Sequence, residues 1–227
     1  MSNYLVATIK DWNIEEFQKQ VKDLPGNWKL ITKKSELDVD FLKDFNPEYI
    51  FFPHWSWIVP TEVLENWNCV CFHMTDVPYG RGGSPLQNLI VRGHKETKLT
   101  ALKMVDKLDA GDVYLKEKLS LDGSAQDIFN RMAPLVYKMA IQIISKKIVP
   151  QPQTGEITEF DRRKPEQSLI PELDSIDKLY DYIRMLDAES YPKAYIKHGN
   201  FNIEFSDASI KNGKLEAKVA FSKESNQ

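Results

Sequence analysis

A chain of 227 residues, 42% of them hydrophobic, can bury one full-sized core with a modest appendage, which excludes a fibrous or disordered protein. Its 30 Lys and Arg against 33 Asp and Glu leave a formal charge of −3, so no net basic field gathers phosphate backbones and nucleic acid is not expected as a partner. The first ten residues lack a basic segment and a signal-length apolar run, and the only cysteines are Cys69 and Cys71, so the expectation is a cytoplasmic protein with neither membrane partner nor disulfide framework.

Residues 4–9 read as a strand, 14–21 as a helix, 28–33 as a strand and 39–45 as a helix, an alternation that predicts a parallel sheet with crossover helices. A third strand over 49–54 is stopped by Pro53, a helix opens behind Pro60, and a fourth strand follows over 68–73. Sites in such sheets form in the loops after strand ends, where His54 and His73 both fall. Residues 98–103 and 113–119 alternate around Leu108-Asp109-Ala110-Gly111-Asp112, predicting an antiparallel pair added to the sheet. A core helix follows, capped by Ser124, with Ile128, Met132, Leu135, Met139 and Ile143 at helical spacing. The breaker-rich residues 150–156 mark a linker, dividing the chain into domains 1–150 and 151–227. The second contains a helix over 176–186 and a β-hairpin turning at Asn212-Gly213, so the expected class is α/β, mostly parallel, with a small helix-plus-hairpin extension.

The chemistry concentrates where the fourth strand delivers His73 into a loop dense in glycine and proline that runs through Thr75, Pro78, Arg81 and Gly82 to Pro85. Such a loop holds a side chain still and brings backbone close to a ligand. Thirty-six residues after His73 comes Asp109, at a glycine turn. An imidazole with a carboxylate in reach is a general base with its orienter, as amine acylation requires. Taken singly, a histidine after a strand is more often structural, and Asp109 is equally explained by Asx-turn chemistry. The four histidines and two cysteines lack zinc spacing, and no metal is expected.

The loop resembles the signature of the 10-formyltetrahydrofolate-dependent formyltransferases, aligning without gaps: His73 matches the family histidine, Thr75 the serine, and Pro78, Arg81, Gly82 and Pro85 the rest. Leu108-Asp109-Ala110-Gly111 resembles the second family motif, whose aspartate completes the active site. The stretch from Phe52 through His54, Trp55, Trp57 and Ile58 to Pro60 occupies the place of the pterin-binding loop. Downstream, Arg162, Arg163 and Pro165, then Ile183-Arg184 and Tyr191 to Tyr195, look like the segments closing the catalytic domain in the sugar-modifying branch, and the resemblance covers residues 49–196.

What the resemblance implies is a Rossmann-like domain that moves the formyl group of 10-formyltetrahydrofolate onto a nucleotide-linked 4-amino-4,6-dideoxy sugar, of the pseudaminic acid type found in surface glycans. His73 would either take the amine proton or stabilise the developing charge, and Asp109 would orient it and act as proton sink. His54, Trp55, Trp57, Ile58, Asp109 and Asp112 would hold the folate, and Thr75, Arg81, Gly82, Arg162, Arg163, Tyr191 and Tyr195 the acceptor. The chain departs from the family at Cys71, where an asparagine donates to the oxyanion, and loss of one such donor costs about 10²–10³ in rate. Either His54, Asn88 or a loop amide replaces it, or the protein is a folate-binding pseudoenzyme. Hydrolysis of the formyl-folate, or transfer to another small amine, also fits. The first-strand loop Thr8-Ile9-Lys10-Asp11 lacks the family's glycine-rich turn, and the C-terminal hairpin is a candidate contact in a homodimer.

Overall fold

The computed structural model describes residues 1–223. In chain order its elements are β1 (Asn3–Ala7), α1 (Asp11–Gln20), β2 (Asn27–Ile31), α2 (Val39–Phe45), β3 (Pro47–Phe52), α3 (Thr61–Asn66), β4 (Asn68–His73), β5 (Arg81–Gly82), α4 (Pro85–Val91), β6 (Glu96–Lys103), β7 (Val113–Ser120), α5 (Ala125–Lys146), β8 (Glu159–Phe160), α6 (Ile176–Arg184), β9 (Ala194–His198), β10 (Phe201–Lys211) and β11 (Lys214–Lys223). Two compact units result: Met1–Gly82 with Lys98–Leu119 and Asn130–Glu159, and Gly83–Thr97 with Ser120–Phe129 and residues 160–223.

The first unit is built on a six-stranded sheet in the order β2-β1-β3-β4-β6-β7. The strands β1 to β4 are parallel, and β6 runs antiparallel to β4. Strands covered on both faces must be apolar throughout, and Leu5, Val6 and Ala7 of β1 and Ile50, Phe51 and Phe52 of β3 are buried without a break. On one face Leu5, Ala7, Ile50 and Phe52 pack with Leu42 and Phe45 of α2 and Val63 of α3. Among residues of the other parity, Phe51 stacks on Trp28, their rings 5.7 Å apart. α2 opens on Asp38, whose carboxylate accepts from the Phe41 N–H, and ends at Asn46 in the left-handed conformation.

This register places the chemistry. Phe52 of β3 lies opposite Cys71 of β4, so the loops leaving the two strands start side by side at the carboxyl edge of the sheet. β3 ends two residues short of its expected boundary: Pro53 offers no N–H to continue the ladder, and His54 turns away with φ 55°.

In the second unit, α4 begins with Pro85 after Ser84 in the left-handed conformation, a helix the breaker-rich loop conceals in sequence. The C-terminal sheet has three strands, β11-β10-β9, not a hairpin alone, and β10 carries a bulge between Ser206 and Ser209. The sequence reading overlooked β9. Arg184, 3% exposed, donates from Nε to Asp181 (2.6 Å) and from Nη1 to the carbonyls of Leu121 (2.5 Å) and Gly123 (2.8 Å), pinning the turn ahead of α5 to α6.

Candidate active site

Three stretches of the first unit converge on His73. β4 carries the imidazole to a site where it is 7% exposed, with Nε2 2.7 Å from the Gly80 carbonyl and Nδ1 3.4 Å from Asp109 Oδ2. The same carboxylate oxygen accepts the Gly82 N–H at 2.9 Å. Asp109 sits at φ 51°, a conformation aspartate tolerates better than most residues. Gly111 lets the turn close, because a Cβ there would lie 1.8 Å from the Lys103 carbonyl oxygen.

The third stretch is the one expected to be a mere linker. The Thr158 carbonyl accepts from the N–H groups of Gly80 (2.9 Å) and Arg81 (3.0 Å). The Gln153 amide donates to the carbonyls of Asp109 (2.8 Å) and Gly111 (2.7 Å), while its oxygen accepts from Arg81 Nε (3.1 Å) and Nη2 (2.8 Å). No sequence signal marked Gln153, since an amide among prolines is ordinary loop composition.

Both nitrogens of His73 face acceptors, and a neutral ring has one proton to offer. With that proton given from Nε2 to Gly80, the Nδ1 lone pair stands against the Asp109 carboxylate. A proton arriving at Nδ1 turns an acceptor–acceptor contact into a charge-assisted hydrogen bond.

Other residues singled out by sequence take different places. Thr75 is fully buried and donates its hydroxyl to the Gly80 carbonyl (3.1 Å), so it holds the loop. Arg81 is likewise buried, and its Nε and Nη2 donate to Gln153. Burial pushes the Cys71 thiol pKa up, and the Asp109 charge adds to the shift, so Cys71 stays a protonated, weak donor. His54 Nδ1 accepts from the Trp12 Nε1–H (3.4 Å) and faces Asn13 Nδ2 (3.1 Å), which leaves the ring proton on Nε2. Burial, reinforced by the Lys10 charge, lowers the His54 pKa to about 3. Beyond it, Trp55 packs edge-on to Trp57 with ring centroids 4.8 Å apart, and its buried Nε1–H meets no hydrogen-bond partner. Trp57 is 37% and Ile58 93% exposed, an apolar surface presented to solvent. Asp112 is half-buried, and its carbonyl accepts the Lys103 N–H at 2.8 Å.

Arg162, Arg163, Tyr191 and Tyr195 belong to the second unit. Arg163 is spent on scaffolding, donating to the Gln167 carbonyl and to the Tyr182 hydroxyl (3.0 Å), so of the two expected phosphate-binding arginines only Arg162 is exposed. Tyr191 is half-buried, its ring 5.5 Å from Phe129, and burial raises its pKa against the opposing Arg162 charge. Tyr195 is half-buried on β9. Asn88 directs its amide at the carbonyls of Gly83, Ser84 and Asp161, all at 3.1 Å, and is thereby removed as a stand-in oxyanion donor. Among the described residues, no group of three or more His, Cys, Asp or Glu is placed to hold a metal ion. No helix among them is long and apolar enough to cross a membrane.

A buried histidine from a parallel strand, paired with a turn-held aspartate at the carboxyl edge of the sheet, defines a site suited to acyl transfer onto an amine. Residues 18–147 match the formyl transferase family, and the chain belongs to that family. Residues 165–222 match the C-terminal domain of methionyl-tRNA formyltransferase. A methionyl-tRNA formyltransferase of Thermodesulfovibrio yellowstonii is 29% identical over 151 residues, 63% of this chain and 49% of that protein. The chain thus spans about half the length of that curated relative. A solved structure of a methionyl-tRNA formyltransferase from Clostridium thermocellum is similar over 98% of this chain and 100% of that one, with 51% identity and a TM-score of 0.95. A 4-N formyltransferase from Francisella tularensis, 14% identical with a TM-score of 0.66 over 96% of each chain, shares the fold. The expected alliance with the sugar-modifying branch is therefore matched by the fold alone, and the nearer relatives carry the methionyl-tRNA name.

Proposed function

We propose that this protein transfers a formyl group from 10-formyltetrahydrofolate to a primary amine: as the new C–N bond forms His73 receives the amine proton, Asp109 holds the ring and the charge, and the formyl–N10 bond breaks with that proton passed to N10 of the departing tetrahydrofolate. The single observation carrying this reading is the closed contact of His73 Nδ1, Asp109 Oδ2 and the Gly82 N–H. The folate supplies the formyl carbon. Trp57 and Ile58 offer its ring system an apolar wall, and the unpartnered Trp55 Nε1–H offers a donor, which is the chemistry a pterin edge requires. Holding amine and formyl carbon together accounts for up to about 7 kcal/mol of the barrier. Fixing the proton acceptor beside them contributes about 10²–10⁴ in rate.

The acceptor in this reading is a small amine, a nucleotide-linked 4-amino-4,6-dideoxy sugar. Residues 160–227 carry 11 Lys and Arg against 12 Asp and Glu, a balance that supports a small acceptor over a polyanion. The 51% identity to the Clostridium thermocellum protein favours methionyl-tRNA as the second reading.

The test is tetrahydrofolate release from 10-formyltetrahydrofolate with no acceptor, with a panel of UDP- and dTDP-linked 4-amino-4,6-dideoxy sugars, and with initiator methionyl-tRNA. Release that depends on one sugar establishes the first reading, and release that depends on the tRNA establishes the second. Release without any amine marks a hydrolase, and binding of the folate without release under any condition refutes transfer.

A further inference from the structure

Asp109 is held at two points, and only one of them is its carboxylate. The carboxylate meets His73 and the Gly82 N–H; the backbone of the same residue is held by Gln153, which also holds Gly111 and is itself anchored on Arg81, the residue next to Gly82. The contacts close a ring: Arg81 side chain, Gln153 amide, Asp109 backbone, Asp109 carboxylate, Gly82 backbone. The amide orientation is unambiguous, because guanidinium nitrogens only donate and peptide carbonyls only accept, so Oε1 must face Arg81 and Nε2 the turn. The left-handed backbone at φ 51°, although aspartate tolerates it better than most residues, still carries a cost that these contacts offset.

We propose that Gln153 is a positioning residue for the transfer reaction, fixing the Asp109 turn so that its carboxylate stays on His73 Nδ1. The inference rests on the formyl-transfer reading for its consequence in rate, but not for its geometry. Gln153 touches neither His73 nor the reacting groups; it acts through Asp109. Arg81 belongs to the same device: its buried guanidinium presents the amide in one orientation.

Gln153→Glu tests this most cleanly. The carboxylate keeps Arg81 satisfied, so the fold retains this partly buried pair, but it aims oxygens at the carbonyls of Asp109 and Gly111 and abolishes both donations. Two measurements are made on the full chain. In hydrogen exchange, the Gly82 amide, protected by the Asp109 carboxylate, exchanges about tenfold faster in Gln153→Glu while amides in β1 and β3 are unchanged. In turnover, kcat falls about tenfold or more with the folate KM within about twofold of wild type, and Gln153→Glu adds little once Asp109→Asn is present. Gln153→Met, which removes the polar group altogether, gives the same pattern in Gly82 exchange. Unchanged Gly82 protection in both folded variants overturns the proposal, as does a rate loss that adds in full to that of Asp109→Asn. If the wild-type protein transfers no formyl group, the functional reading fails and Gly82 exchange alone decides the role of Gln153.

Discussion

Gly111→Ala turns a contact distance into a rate. The added Cβ lies 1.8 Å from the Lys103 carbonyl oxygen, about 1.2 Å inside the 3.0 Å below which Cβ atoms are not found. The obstruction is backbone, and no side chain can swing aside; the turn itself must move by about an ångström. Asp109, two residues away, moves with it, lengthening the 3.4 Å approach to His73 Nδ1 and the 2.9 Å bond from the Gly82 N–H. A misplacement of about 1 Å costs on the order of 10² in rate, equivalent to about 2.7 kcal/mol of barrier. The overpacking itself costs about 1–3 kcal/mol of stability. The assay is kcat under saturating donor and acceptor, read beside urea unfolding. Gly199→Ala is the control: it imposes a side chain at φ 57° with open space around it, so about 1 kcal/mol of stability is lost and turnover is kept. A folded Gly111→Ala protein with turnover within twofold of wild type refutes the link between turn and chemistry.

Asp109→Asn and His73→Asn each lower kcat by about 10²–10⁴ with the unfolding midpoint nearly unchanged, and near-normal turnover in either removes the proton-acceptor assignment. His54 predicts an acid limb of stability. Its pKa falls from 6.5 to about 3 on folding, so stability is complete above pH 6.5 and declines as the pH drops and the unfolded chain alone takes up the proton. At pH 5 the loss is about 2 kcal/mol, and His54→Gln removes that part of the slope when wild type and variant are unfolded in urea at pH 7 and pH 5; parallel slopes contradict it. Arg184→Met leaves the Asp181 carboxylate and the carbonyls of Leu121 and Gly123 without their shared donor, at a cost of about 3 kcal/mol in urea unfolding, and a loss under about 1 kcal/mol means the pair contributes nothing net.

Much of the first unit was legible because parallel strands covered on both faces must be continuous apolar runs. Leu5 to Ala7, Ile50 to Phe52 and Cys69 to Val70 announce themselves, and Pro53 sets the end of the third strand. Elements escaped where their signals were mixed. α4 follows Gly82, Gly83 and Pro85, residues that read as a loop until the left-handed Ser84 and the first-turn proline show how they start a helix. β9 is short and half exposed, and its pairing with β10 comes from tertiary contact, not from alternation. The α5 stripe was foreseen at Ile128, Met132, Met139 and Ile143, but the buried surface is wider and takes in Phe129, Ala133, Val136, Tyr137 and Ala140, while Leu135 lies partly outside it.

The sequence by itself determined on which kind of element the candidate residues lie: a histidine at a strand end and an aspartate at a turn closed by Gly111. These are local properties, set by periodicity, breakers and composition. Only the tertiary structure decided which polar groups are free to act. Thr75, Arg81, Arg163 and Asn88 all look like substrate or oxyanion contacts in one dimension, yet each spends its donors on carbonyls or side chains that folding brings near. Gln153, anonymous in sequence, becomes the link between Arg81 and Asp109. The physical reason is hydrogen-bond accounting: a buried donor must find an acceptor, and the partners it finds, 72 residues apart for Arg81 and Gln153, are fixed by the packing of distant segments and not by anything adjacent in the chain.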